Sequence, residues 1–179
     1  MKVLLIDPPG WQKHGLNLGL AYLAGALSTK GIETRVLDMN NHSYSDYALK
    51  KLIKNYNPYV IGISVKTATA NSSMALLCKL KNDFPKVIYV VGGPHVSLCG
   101  KEFLKENKEI DFGILGEGET PFIELVNELK NSKRGLQNIR GIGYYQNSHW
   151  ISSGSYFEPN VTTLPFPRFE DLININYQN

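Results

Sequence analysis

Hydrophobic and polar residues alternate in blocks along most of the chain, each block an apolar run followed by a helix-like stretch. Short, almost continuous runs of large apolar residues are typical of strands that are covered on both faces of a sheet. Five such runs predict strands, at Lys2–Asp7, Glu33–Asp38, Tyr59–Val65, Val87–Val91 and Phe112–Leu115.

Helix signals fill the segments between and after these strands. The spacing of apolar residues and the capping residues predict helices at 17–31, 43–56, 71–84, 97–107 and 120–130. Ser43-x-x-Asp46 fits a capping box, and Thr120 followed by Pro121 fits the start of a helix. Strands that alternate with helices predict an α/β fold, an open parallel five-stranded sheet with helices on both faces.

The first predicted helix is small on almost every side. Glycine, alanine and serine occupy positions 19, 21, 24, 25, 26 and 28. Because the distance between packed elements depends on the side chains at the contact, a helix of this kind packs closely on more than one side. We expect it to pack against the sheet, or against the sheet and another domain as well.

The alternation ends after residue 130. Gly141–Gln146 and Trp150–Ser152 have the pattern of a β-hairpin, and the last segment carries three prolines and no helical period. We therefore divide the chain into a sheet domain at 1–132, a β-hairpin extension of the same domain at 133–157, and an extended linker at 158–179.

Composition narrows the class of protein. A chain of 179 residues, 42% of them hydrophobic, fits one globular domain, and a net charge of +3 is too small to indicate a nucleic-acid partner. No apolar run reaches the about 18 residues of a membrane span, and Met1 leads into a strand without a signal peptide, which favours the cytoplasm. Cys78 and Cys99 are too few for a disulfide framework or a metal site.

Ligands of an open parallel sheet bind beyond the carboxyl ends of its strands. Here these ends are DPPGW after the first strand, SVKTAT after the third, GGPH after the fourth and GEGET after the fifth. They offer backbone amides and small hydroxyls with few catalytic side chains. This composition favours holding a large ligand over acid–base chemistry.

Several familiar sites are excluded. No G-x-G-x-x-G follows the first strand, no G-x-x-x-x-G-K-[ST] loop occurs, and no aspartate ends the third strand, as a phospho-receiver domain requires. No Ser-His-Asp set is convincingly spaced. Glu117 and Glu119 resemble an acid pair, but charges at the start of a helix more often complement its dipole.

Together the strand ends resemble the cobalamin-binding domain at the N-terminus of many radical S-adenosylmethionine enzymes. The matching segments are IDPP, GLAYLAGAL with Gly31, VGGPHVS and GEGETPFIEL, and the later RGIGYY and LPFPRFEDL match the stretch that connects this domain to the radical barrel. The resemblance covers nearly the whole chain. It implies a flavodoxin-like (Rossmann-like) sheet with cobalamin lying across the strand ends.

The resemblance also assigns a site. The nucleotide tail of cobalamin would enter a slot lined by Ser64 and by Gly92–Gly93, and residues 116–120 would border the corrin on the other side. The cofactor-binding residues implied are Pro9, Gly10, Trp11, Ser64, Lys66, Thr67, Thr69, Gly92, Gly93, Pro94, His95, Gly116, Glu117, Gly118, Glu119 and Thr120. No catalytic or metal-ligating residue is assigned.

Two departures from the family pattern matter. Well-known cobalamin domains carry D-x-H-x-x-G, whose histidine is the lower cobalt ligand, but here Pro9 takes that place. We therefore expect base-off methylcobalamin with no protein histidine on cobalt, with His14 and His95 as the fallback ligands. The second departure is the absence of C-x-x-x-C-x-x-C, the motif that holds a four-iron four-sulfur cluster.

The resemblance thus implies that two domains of one polypeptide bind different cofactors. S-adenosylmethionine and the cluster would belong to a C-terminal radical barrel of the same polypeptide, which would also bind a small-molecule or peptide substrate. The present chain alone would be inactive and would position cobalamin for methyl transfer. Two alternatives stay open: a degenerate domain that binds no cofactor and serves as a scaffold, and a flavodoxin-like domain that binds flavin or another nucleotide.

Overall fold

One sheet of eight strands forms the centre of the part of the chain that the structure describes. The structure, a computed structural model, describes residues 1–10, 15–131 and 135–169, together with the backbone of 172–173. The strands are β1 (Lys2–Asp7), β2 (Glu33–Asp38), β3 (Val60–Ser64), β4 (Ile88–Gly92), β5 (Phe112–Ile114), β6 (Ile142–Gln146), β7 (His149–Ser152) and β8 (Leu172–Ile173). Their spatial order is β7-β6-β5-β4-β3-β1-β2-β8.

Strands β1 to β5 are parallel and lie in the order 2-1-3-4-5, so the predicted flavodoxin-like α/β sheet is confirmed. The count of five strands is too low, because both edges are extended. The β6–β7 hairpin pairs antiparallel with β5, and β8 pairs parallel with β2 within the predicted linker. Strand β8 has only two residues, which is too short for an alternating pattern in the sequence. At the other edge of the sheet, the hairpin covers β5, which would otherwise be exposed.

Helices cover both faces of this sheet. They are α1 (Leu18–Thr29), α2 (Asp46–Tyr56), α3 (Ala70–Asp83), α4 (Pro94–Glu106) and α5 (Glu119–Asn131). One core cluster joins α1 and α5 to one face of the strands, and a second joins α2, α3 and α4 to the other. None of the helices among the described residues has the length and hydropathy needed to cross a membrane.

Three predicted helix starts are wrong. The capping box at Ser43 does not form; helix α2 is capped by Ser45, whose hydroxyl accepts a hydrogen bond from the Ala48 amide at 3.3 Å. Helix α4 begins at Pro94 instead of residue 97, because proline suits the first helical position and carries no amide that needs a partner. Helix α5 includes Glu119, so Thr120 lies inside it.

The small residues of α1 are explained by the C-terminal segment. This segment crosses the helix so closely that a Cβ on Gly25 would overlap the carbonyl oxygen of Phe166. The Arg168 amide donates to the Ala21 carbonyl at 3.0 Å, and the Arg168 guanidinium bonds to the Ser28 hydroxyl. On the other side Leu20, Ala24 and Leu27 pack in the core cluster with the sheet, so the helix packs on two sides, as expected, with the predicted linker as the second partner.

Replacing Gly25 with alanine is therefore expected to destabilise the protein. Alanine favours a helix over glycine by about 1 kcal/mol, so a rise in stability is the default for an uncrowded position. Here the Phe166 backbone has to move, and we expect a net loss of about 1–2 kcal/mol, seen as a lower melting temperature. The control is Phe166→Ala, since that side chain is 90% exposed and its removal leaves the backbone contact in place. An increase in melting temperature for Gly25→Ala would contradict this account.

Candidate cofactor site

A cavity of about 360 Å³ opens at the carboxyl ends of the central strands and extends between the sheet and helices α1 and α5. Its inner part, which we call the floor, is lined by a glycine and apolar side chains. These residues are Leu5, Gly62, Val90 and Ile114 from the sheet, Leu20 and Leu23 from α1, and Phe122 from α5. The floor lies one layer below the strand ends, on the face covered by α1 and α5.

The mouth of the cavity, which we call the rim, is polar. Its side chains belong to Asn17, Ser64, Lys66, Glu117 and Glu119, and glycine backbone from β4 and from the loop after β5 completes it. The cavity therefore has an apolar floor and a polar rim. Such a shape suits a ligand with an apolar end and a polar body.

The two glycines at the end of β4 have different roles. Gly93 has φ of +100°, and a Cβ there would lie 2.9 Å from the Val65 carbonyl oxygen, so the turn itself requires glycine. A Cβ on Gly92 would meet only the Ile114 Cβ, at an ordinary contact distance of 3.5 Å. The fold therefore has room for a methyl group at Gly92, and leaving that group out keeps the cavity open.

The loop after β5 is fixed by the segment that follows the hairpin. Gly116 has φ of +87°, and its backbone approaches Tyr156 so closely that no side chain fits. The Glu117 amide donates to the Tyr156 carbonyl at 2.9 Å, and the Glu117 carboxylate accepts a hydrogen bond from the Glu158 amide. Glycine at position 116 is thus required by packing within the chain.

A buried carboxylate organises the opposite side of the rim. Asp7 is 1% exposed at the end of β1, and its Oδ1 accepts hydrogen bonds from Lys66 Nζ at 3.1 Å and from Asn17 Nδ2 at 3.0 Å. The same amide group of Asn17 donates to Ser64 Oγ at 3.2 Å, and Asn17 Oδ1 caps α1 by accepting from the Leu20 amide. This network fixes three rim side chains before any ligand arrives.

Sequence reasoning did not include Asp7 or Asn17 among the site residues. Asp7 appeared only in the first strand end, DPPGW, in the matching segment IDPP and in the departure from D-x-H-x-x-G, and Asn17 appeared only as the first residue of the predicted helix at 17–31. The sequence did hold a signal for Asp7, which directly follows five residues of a predicted buried strand. A charge at such a position is buried and therefore requires a partner.

Burial raises the pKa of the Glu119 carboxyl. The nearby Glu117 and Glu158 carboxylates raise this pKa further, whereas hydrogen bonds from backbone amides lower it. A group whose pKa is raised in the folded protein favours folding only below its ordinary pKa, and it loses that contribution as the pH rises through the folded pKa. The charged form of Glu119 therefore costs stability at neutral pH.

Glu119→Gln is expected to raise the melting temperature at pH 7 by roughly 1–3 °C, because the amide carries no charge to desolvate. The gain should shrink towards pH 4, where the wild-type carboxyl is protonated. Glu124→Gln, on the exposed side of α5, is the control and should leave the melting temperature at pH 7 nearly unchanged. A melting temperature that falls at pH 7 would contradict this assignment.

Several predicted residues lie away from this cavity. Thr67 Oγ1 is 3.3 Å from His95 Nδ1, and both line a second cavity of about 490 Å³ between α3 and α4, on the opposite face of the sheet. The His95 ring also packs edge-on against Phe103, with centroids 4.8 Å apart. Thr69 closes its own turn by accepting from the Lys66 amide at 3.2 Å.

The remaining predicted residues have varied surroundings. Thr120 donates to Glu158 Oε2 at 3.1 Å and Pro94 lines the cavity beside Gly93. Pro9 is exposed, and its carbonyl accepts a hydrogen bond from Ser72. Gly10 is described but does not line the cavity, whereas the predicted residues Trp11 and His14 lie outside the described residues.

The structure thus gathers nine of the predicted residues around one cavity. They are Ser64, Lys66, Gly92, Gly93, Pro94, Gly116, Glu117, Gly118 and Glu119. Their roles in cofactor binding stay predictions.

Comparison with known proteins places the chain in a family. The B12 binding domain family matches residues 12–126, which is more than half of the chain. The chain is 32% identical over 187 residues to an uncharacterized methyltransferase of Pyrococcus horikoshii, and 26% identical over 183 residues to an anaerobic magnesium-protoporphyrin IX monomethyl ester cyclase of Synechocystis. Each alignment covers 96% of this chain, but only 39% and 34% of the two relatives.

A solved structure shares the fold. The radical S-adenosylmethionine methyltransferase TsrM from Kitasatospora setae, solved with cobalamin and a [4Fe-4S] cluster bound, superposes with a TM-score of 0.72 at 20% identity. The match covers 86% of this chain and 30% of that one. The family match, the parallel sheet and the cavity at its strand ends lead to one conclusion: the chain belongs to the B12-binding domain family.

Proposed function

We propose that this chain is the cobalamin-binding domain of a radical S-adenosylmethionine enzyme and that its cavity receives the nucleotide tail of the cofactor. The observation that carries the proposal is the open cavity beside Gly92, where the fold itself leaves room for a side chain. A ligand that enters there would explain why position 92 carries no side chain.

The residues of the cavity fit this cofactor. The apolar floor suits the aromatic base at the end of the tail, and the rim offers Ser64 and Lys66 to the sugar, the phosphate and the amide arms. The backbone of Gly92 and Gly93 lets the tail approach closely. When bound, cobalamin supplies a cobalt centre that can carry a methyl group. The chain's own contribution is to bind the cofactor, orient it and exclude water from the tail.

We further propose that the cofactor is bound base-off, because its tail lies in the cavity, and that no histidine of this domain replaces the base on cobalt. The position of the usual ligand is Pro9, whose side chain has no donor atom for a metal. His95 lies beside the second cavity, against Thr67 and Phe103. Reducing the bound cofactor to cobalt(II) and recording its electron paramagnetic resonance tests this point. Splitting by a nitrogen bound below the cobalt would overturn it.

The reaction belongs, in this proposal, to the whole enzyme. A C-terminal radical barrel would bind S-adenosylmethionine, the iron–sulfur cluster and the substrate, and methyl transfer is the reaction suggested by the methyltransferase relative. Among the described residues, no group of three or more histidine, cysteine, aspartate or glutamate side chains is arranged to hold a metal ion. A cytoplasmic location is part of the same proposal.

The scaffold alternative makes a different demand on the cavity. A domain that has lost its cofactor has no reason to keep a slot open, and bulky side chains packed over Gly92 would fill it. The open cavity beside this residue therefore supports cofactor binding.

The test is direct. The purified 179-residue chain is mixed with hydroxocobalamin, passed through a desalting column and examined by visible absorption. Near-stoichiometric corrin in the protein fraction supports the proposal. A colourless protein that also gives no heat in a calorimetric titration with cobalamin would favour the scaffold, and a yellow chromophore retained from expression would favour the flavin-binding alternative.

A further inference from the structure

We propose that the cavity floor selects among corrinoids by the base at the end of the nucleotide tail. It favours benzimidazole or phenolic bases, such as the dimethylbenzimidazole of cobalamin, over purines such as adenine. This inference rests on the proposed function, because it concerns the same cavity. It assigns the specificity to the floor residues of this chain.

The floor provides no side chain that can form a hydrogen bond. Its seven residues are aliphatic, aromatic or glycine. The backbone groups of β3 and β4 beneath them are hydrogen-bonded between these two strands along their length. Two of its larger side chains, Leu5 and Phe122, are at most 1% exposed and close the cavity against Gly62, where an added Cβ would lie 2.9 Å from Leu5. A polar atom carried to this depth would lose its water and gain no partner.

The polar groups nearest the floor are mostly committed. Asn17 uses its oxygen to cap α1 and its amide nitrogen to bond Asp7 and Ser64. Ser64 lies two residues above Gly62 on the same strand face, and its oxygen accepts from Asn17, which leaves its hydroxyl hydrogen to donate. Of these two rim residues only Ser64 thus has a donor left, which is enough for one ring nitrogen of a base.

The bases differ in how many partners they need. Dimethylbenzimidazole has one ring nitrogen free when it is not bound to cobalt, and a phenolic base has no ring nitrogen. Adenine carries two further ring nitrogens and an amino group. Since each buried polar group left unpaired weakens binding and adenine brings three more of them than dimethylbenzimidazole, we expect an adenine-containing cobamide to bind at least roughly 100-fold more weakly than cobalamin.

The experiment compares three ligands of the same chain by calorimetric titration: cobalamin, the cobamide with adenine as its base, and cobinamide, which has no nucleotide. Cobalamin is expected to bind most tightly. Equal affinity for cobalamin and the adenine cobamide would overturn the selectivity alone. Equal affinity for cobalamin and cobinamide would overturn the placement of the base in the floor. If none of the three binds, the proposed function fails and this inference fails with it.

A pair of variants locates the effect. Val90→Thr exchanges a methyl group for a hydroxyl in the floor and is expected to reduce the preference for cobalamin at least about threefold. Val91→Thr is the matched control: it is the next residue of the same strand, equally buried, and also borders the cavity, but its side chain packs in the cluster on the opposite face. The same change of preference in both variants would contradict a role for the floor.

Discussion

Replacing Gly92 with leucine is expected to abolish retention of cobalamin while the protein stays folded. A Cβ at this position meets only Ile114 at 3.5 Å, and the rest of a leucine side chain has the cavity to occupy. Filling that space should weaken binding by at least roughly 100-fold, as excluding the tail removes most of its apolar contact. Calorimetric titration and a thermal melt of the same sample measure both properties.

Gly93→Ala separates binding from folding in this comparison. Because Gly93 has a positive φ and its Cβ would lie 2.9 Å from the Val65 carbonyl oxygen, alanine there should destabilise the protein whether or not cobalamin is added. Gly92→Leu should keep a melting temperature close to that of the wild type. Tight binding of cobalamin by folded Gly92→Leu would show that the tail does not use this cavity.

Lys66→Met is expected to lower the free energy of unfolding by about 2 kcal/mol, because it removes the Lys66 ammonium that lies 3.1 Å from the buried Asp7 carboxylate. The cost of breaking a fully buried ion pair is higher, but the Lys66 side chain is 32% exposed and Asn17 still donates to Asp7. Urea denaturation followed by far-ultraviolet circular dichroism measures the difference.

The double variant Asp7→Asn/Lys66→Met provides the control for this prediction. With neither charge present, no carboxylate is left buried, so most of the lost stability should return. Lys105→Met, at an exposed position of α4, should have little effect. A double variant that is less stable than Lys66→Met would show that the carboxylate itself, independent of the lysine, supports the fold.

The parallel core was predictable because each of its strands can be recognised from its own stretch of sequence. Strands β1, β3, β4 and β5 are runs of apolar residues that their own sequence identifies, β2 carries the apolar pair Val36-Leu37 after alternating positions, and the strand ends follow from parallel order. Strand β8 was not predictable, since two residues carry no periodicity and their pairing with β2 depends on the path of the segment across α1. The contact of Gly25 with Phe166 is equally non-local.

Part of the site was predictable because it lies at strand ends, which follow from the predicted strands. Sequence placed Ser64 and Gly92 at one edge, and the structure has both in the cavity. It also placed His95 there, but side-chain direction decides the outcome: because helix α4 begins at Pro94, His95 turns to the opposite face and meets Thr67. The bonds of Asp7 to Lys66 and Asn17 depend on side-chain positions over 59 and 10 residues of sequence. Local patterns hold no information about such pairs.

The central claim is that the cobalamin tail lies between the sheet and helices α1 and α5. Amide chemical shifts of the 15N-labelled chain, recorded with and without diamagnetic hydroxocobalamin, test it residue by residue. We predict the largest changes at Gly62, Ser64, Gly92 and Gly93, with little change at α2. Changes confined to the second cavity around Thr67 and Phe103, or binding without any change at Gly62 and Gly92, would contradict the account.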